Sequence, residues 1–248
     1  MSSEPGGPMT GQHDAPLPAT APPEPEPGQP AAEADLRTPL FFLSYAHAVE
    51  GYQANGPRQE PNRRVVTFFD DLSENVAELV SRPAGLDPGY MDRSMHGGVR
   101  WTSELLRAIG TCQIFVALLS APYFDSVWCS KEWFAFSQRL VGRQSGDGPD
   151  HQTAIIPVIW APLPQDRIPA VVNSVQRFSP SGLVNAEIIA QYEENGVVGL
   201  LRMQQESSYQ TVVWRLAQRI AKINYSHRVE PRLLDESDLC DVFREQET

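Results

Sequence analysis

A chain of 248 residues with 20 basic and 31 acidic side chains has room for one domain or two small ones. The formal charge of −11 sits mostly at the ends: residues 1–39 carry one basic and six acidic groups, and residues 228–248 carry three and seven. The sequence contains no concentrated Lys/Arg stripe and no run near 18 apolar residues, which excludes a nucleic-acid-binding surface and a membrane-spanning helix.

Ten of the 22 prolines lie in residues 1–39. Residues 1–37 therefore read as a disordered Pro/Glu-rich leader, a solubilising segment or a flexible tether, unable to bury a core. The first basic residue is Arg37, so no secretory leader is expected and the protein is expected to be cytoplasmic. Leu40 to Tyr45 is a short apolar run suited to a strand buried on both faces. Ala46 to Asn62 reads as a long loop. Val65, Phe68, Phe69, Leu72, Val76 and Leu79 then mark one helix face, with Pro83 beyond its end. Ala84 to Gly98 shows no convincing strand.

A short helix is predicted over Trp101 to Ile109, started near Thr102 or Ser103 and closed near Gly110. Gln113 to Ser120 is the strongest strand pattern in the chain. Pro122 predicts a loop over Ser120 to Asp125, and Asp125 or Ser126 is placed to cap a helix running to Leu140. Trp128 and Glu132, four apart, share a face of that helix, which sets a carboxylate in its first turn behind an indole. Gly142 to Pro149 reads as a linker. Ala154 to Trp160 is a further strand in which Pro157 indicates an edge or a bulge. Val175 to Phe178 suggests a last short strand, and Glu187 to Glu194 a helix. Tyr209, Val212, Val213, Leu216, Ile220 and Ile223 give an amphipathic helix, with Arg215, Arg219 and Lys222 off its apolar face. Residues 227–248 read as an acidic tail, frayed or forming a short docking helix around Leu239, Val242 and Phe243.

Strands alternating with helices predict an α/β fold with about five parallel strands in a flavodoxin-like order, covered by helices on both faces. Such sheets bind ligands at the carboxyl ends of the strands, where connections diverge. Cys112, Cys129 and Cys240 show neither disulfide nor metal-ligand spacing, and no cofactor or metal site is expected.

Ser-x-Trp-Cys-x-x-Glu, here Ser126 to Glu132 after a buried strand, resembles the signature of TIR domains. Phe41-Phe42-Leu43-Ser44-Tyr45-Ala46 is similar to the first strand of that family. The resemblance covers residues 38–226, a TIR-like domain between the two tails. It extends to a bacterial TIR-like group encoded beside FxSxx-COOH peptide precursors, which Phe68-Phe69-Asp70-Asp71-Leu72 also resembles.

Catalytically active TIR domains cleave the bond between nicotinamide and ribose in NAD⁺. The resemblance thus implies Glu132 as the catalytic carboxylate and Trp128 as the stacking indole. It also implies substrate contacts at Ser44, Tyr45, Ala46 and His47, the stretch that ends the first strand. Several active members carry an arginine there, so a basic contribution would come from His47, Arg93 or Arg100. NAD⁺ would be the substrate rather than a cofactor. The chemistry needs one carboxylate beside an oxocarbenium-like ribose and an aromatic face for the pyridinium. The helix dipole at the first turn predicts an ionised Glu132 at pH 7. The same residues also fit a non-catalytic module, in which Trp128 is core and Glu132 a capping-turn carboxylate. Its partners would be a second TIR domain or another protein. A nucleoside-processing enzyme on a related fold is a third reading.

Overall fold

The structure, a computed structural model, describes residues 38–47, 62–83, 85–93, 102–143, 153–182 and 184–244. The leader 1–37, most of the Ala46–Asn62 loop, His96, Arg100 and residues 144–149 of the expected linker lie outside the described residues. Four parallel strands form the sheet: β1 (Phe41–Ser44), β2 (Gly89–Met91), β3 (Ile114–Leu119) and β5 (Ile155–Ile159), in the order β2-β1-β3-β5. Between β3 and β5 in sequence, β4 (Val141–Arg143) pairs antiparallel with β6 (His227–Val229) as a separate ribbon.

The continuous apolar runs of β1 and β3 are buried along their whole length, as strands covered on both faces must be. Alternate residues reach opposite layers. The Phe41 ring meets Phe69 of α1 (Arg63–Leu79), whereas Phe42 stacks on Phe115, which packs against Trp133 and Phe136 of α4 (Val127–Ser137). Helix α2 (Ser103–Thr111), capped by Thr102, lies beside α4. Helix α7 (Glu206–Ser226) lies against α1, tied by a 2.5 Å hydrogen bond from Tyr209 to Asp71. The α/β sandwich with helices on both faces is thus as the sequence implies.

Several local expectations are corrected. A second strand exists: Gly89 opens β2 where a Cβ would stand 2.4 Å from the Phe41 ring, so the strand starts at a residue that pattern reading treats as a breaker. Ala121–Asp125 is a short helix, α3, because Pro122 falls in its first turn, where no N–H is needed, and Ser120 caps it. Val175 to Phe178 is not a strand; Phe178 makes one backbone hydrogen bond to Pro157 O at 2.8 Å, so the described sheet has four strands and β5 is its edge. Pro157 therefore sits on an edge strand, as its missing donor requires.

A short helix, α5 (Ala170–Asn173), follows β5, and α6 (Ala186–Arg202) extends well beyond the expected Glu187–Glu194. Helix α6 bends at Gly196, where φ is +62° and a Cβ would lie 2.6 Å from Trp160 O; only glycine lets that backbone approach the end of β5. The C-terminal stretch packs back onto the domain. Phe243 is 8 % exposed among Tyr123, Phe124 and Trp133, and its N–H donates to Ser130 Oγ at 3.0 Å. Buried Arg139 fastens the same stretch by donating to Glu230 O as well as to Ile109 O and Cys112 O. No described helix is long and apolar enough to cross a membrane.

Candidate functional site

Strand order places β1 beside β3, and their onward connections leave to opposite sides: β1 leads to β2, β3 to β5. Ligands of open α/β sheets bind at such a divergence, outside the carboxyl ends of the strands. Ser44 is the last residue of β1. Helices α3 and α4 follow β3 directly and bring Tyr123 and Glu132 to it. Ser126 caps α4, its Oγ accepting from Cys129 N at 3.3 Å.

Ser44 Oγ donates to Glu132 Oε2 at 2.5 Å and lies 3.0 Å from Tyr123 Oη. Glu132 is only 7 % exposed and Tyr123 is fully buried. Burial raises the Glu132 carboxyl from 4.5 to about 8; the Ser44 hydrogen bond opposes that, and the nearby negative charge of Asp92 adds to it. At pH 7 the group is mostly protonated.

This overturns the expected ionised state. Helix α4 begins at Val127 and has no acidic residue in its first turn, so Glu132 stands in the second turn. The dipole effect fades within one turn, and desolvation wins.

Trp128, one turn before Glu132, is half-buried against the core, with Lys131 Nζ 5.8 Å from its ring centre. Cys129 is buried, and its thiol is held well above the usual range by desolvation and then by Glu132. Tyr45 is buried and donates from its hydroxyl to Asp92 O at 2.8 Å. Its phenol is pushed up by burial and by the negative charges of Asp92 and Glu132. Ala46 packs at the edge of the core, and the His47 ring stacks on Tyr45 at 4.4 Å. Arg93 lies apart from the carboxyl: it is paired with Asp70 at 2.9 Å and sits 5.6 Å over the Phe69 ring, with more than half of its side chain exposed.

The structure therefore joins Ser44 directly to Glu132 and gathers Tyr45 and Trp128 around them. Asp92 and Tyr123 belong to the same cluster and were not singled out from sequence. A lone Asp after an unrecognised strand and a Tyr in an expected loop gave no periodic signal. Among the described residues no group of His, Cys, Asp and Glu is arranged to hold a metal ion.

A parallel α/β sheet carrying a buried carboxyl at its topological switch point defines the class. Residues 70–194, just over half of the chain, match the TIR domain family. The chain belongs to that family. The matched span includes Arg93, Trp128 and Glu132 but not Ser44, the last residue of β1, nor Tyr45 to His47 that follow it. No curated protein and no solved structure gives a significant match to the chain.

Proposed function

We propose that this TIR domain cleaves the nicotinamide–ribose bond of NAD⁺, with Glu132 as the catalytic carboxylate. One observation carries the reading: a carboxyl 7 % exposed, with its pKa raised to about 8, hydrogen-bonded to the terminal residue of β1 at the switch point of the sheet. Carboxyls perturbed by desolvation where a fold binds ligands are candidates for chemistry.

The C1′–N bond breaks with its electron pair moving onto the pyridinium nitrogen, so nicotinamide leaves neutral and needs no general acid. An ionised Glu132 stabilises the positive charge that develops on the ribose. Water then adds through oxygen to C1′ and releases a proton, giving ADP-ribose; attack by the adenine ring gives the cyclic product instead. The resting carboxyl is neutral, and a cationic pyridinium beside it favours its ionisation. Ser44 supports the ionised form by donating to it, and Tyr123 holds Ser44 in place. Trp128 offers its half-exposed ring to the pyridinium. Tyr45, Ala46 and His47 border the same strand end. Arg93 is engaged by Asp70 and would have to leave that pair to meet a phosphate.

The test is nicotinamide release by the purified chain, compared with Glu132→Ala and Glu132→Gln. Loss in both variants supports the assignment, and equal release by all three proteins removes Glu132 from the mechanism. The near-complete burial of Glu132 favours a second reading: a non-catalytic TIR module that assembles with another TIR domain or a protein partner. Similarity to the group encoded beside FxSxx-COOH precursors suits a scaffold in a bacterial peptide-modification system. Absence of release at any protein concentration, with a pull-down partner retained by Glu132→Ala, selects that reading.

A further inference from the structure

The segment 230–244 has the composition of an acidic tail, yet it runs along α4 from the end of that helix to its start. Glu230 N–H donates to Leu140 O and Arg232 N–H to Gly110 O, each at 2.9 Å. A Cβ on Gly110 would stand 2.4 Å from Arg232 O, so a glycine near the end of α2 is what lets the chain cross there. Leu239 is buried further along, Phe243 N–H reaches Ser130 Oγ, and Arg244 donates to Asp125 O at 2.9 Å. Helix α4 carries Trp128, Cys129, Trp133, Phe134, Ala135 and Phe136, apolar residues on more than one side, and so takes cover beyond the sheet.

The last of these contacts fall on α3. That helix has five residues, too few to hold their own shape, so packing fixes its place. The segment grips it twice. The Phe243 ring lies 5.8 Å from that of Tyr123 and 5.5 Å from that of Phe124, and Arg244 holds the Asp125 carbonyl. Tyr123 in turn sets its hydroxyl 3.0 Å from Ser44 Oγ. A serine hydroxyl has one proton, and Ser44 gives its own to Glu132 Oε2. Tyr123 is therefore the donor to Ser44, and the hydroxyls form a chain from Tyr123 through Ser44 to Glu132 in which each donor strengthens the next. Such a chain favours the ionised carboxyl. Asp92 and Tyr90 on the β2 side, Tyr45 after β1 and Cys129 on α4 also act on Glu132. Of the ionisable groups around the carboxyl, Tyr123 is the one whose ring meets Phe243.

We propose that residues 239–244 are a positioning strap for the candidate site, with Phe243 acting on Glu132 through Tyr123 and Ser44. The inference rests on Glu132 as the reacting group, but its test does not need turnover. The Glu132 carboxyl is titrated by carbon-13 NMR in the full chain labelled at its glutamate carboxyls, with Glu132→Gln identifying the signal. Tyr123→Phe keeps the ring and removes the donor, and is expected to move the Glu132 midpoint upward by roughly half a unit. Phe243→Leu keeps apolar bulk in the strap and loses the ring contact; it should move the midpoint the same way, by roughly 0.3 units. Adding Phe243→Leu to Tyr123→Phe should shift it by no more than about 0.1 unit further, because one route carries both effects. A midpoint unmoved in Phe243→Leu beside a lowered Tm would make the contact merely structural and overturn the proposal. A fall in the midpoint, which would mean that the strap only keeps water out, or additive shifts in the double variant, would overturn it as well. Absence of nicotinamide release from every protein would count against the NAD⁺ reading alone, so the two failures are distinct.

Discussion

Glu132 lies almost sealed beneath the carboxyl ends of β1 and β3, whereas Arg177 and Lys222 stand exposed beside the opposite end of β5. The first site places one ionisable group where water is scarce and holds it with hydroxyls. The second gathers several permanently charged groups where water is plentiful. Desolvation governs the protonation of the acid, so its behaviour follows pH and is insensitive to salt. Attraction across solvent governs the cations, so their behaviour follows ionic strength and is insensitive to pH near neutrality.

The harshest way to break this contrast is Glu132→Ala, expected to reduce nicotinamide release on the order of 10²–10³-fold, the scale of losing one electrostatic stabiliser of a transition state. Steady-state assay of both proteins checks it. Next comes stability against pH. The folded carboxyl binds its proton more tightly than the unfolded one, so its contribution is complete below 4.5 and is lost as pH rises to about 8. Glu132→Gln should therefore be more stable than the parent at pH 9, on the order of 5 kcal/mol, and close to it at pH 5. Denaturant unfolding at the two pH values measures this, and a constant difference would contradict a neutral buried acid.

A gentler probe is Ser44→Ala, which removes the donor favouring the ionised form. The pH profile of kcat/KM is expected to rise through about 8 in the parent. In the variant the midpoint should move upward by roughly one unit. The smallest effect is that of salt. Raising NaCl should shift the parent's midpoint by no more than about 0.2 units. A larger response would erase the distinction.

The two regions also differ in how much of them could be read in advance. Trp128 and Glu132 announced themselves through local spacing, and Ser44 through its position at the end of an apolar run. What spacing could not supply was the environment of the carboxyl. Its state is set by Ser44, 88 residues away along the chain, and by burial beneath rings contributed from elsewhere. Helix α1, helix α7 and strands β1 and β3 were legible because their apolar periods are long and uninterrupted. Strands β2, β4 and β6, each three residues long, were not, since partners distant in sequence and not local propensity decide such short pairings. The cations of α7 were visible individually as the polar side of a helix. Only the fold brings Arg177 to face them.

Phe243 has a practical corollary. It wedges the end of the chain against the two helices that deliver Tyr123 and Glu132, and β6 supplies the partner of β4. An expression boundary drawn at Ser226, where the last long helix stops, would strip aromatic cover from Trp133 and take the backbone donor from Ser130. A fragment cut there is expected to lose about 3 kcal/mol, the scale of deleting one buried phenyl ring, and to expose a sticky surface beside α4. Thermal unfolding of such a fragment beside Phe243→Ala in the full chain would apportion that loss, and cloning should respect the final segment as part of the folded unit.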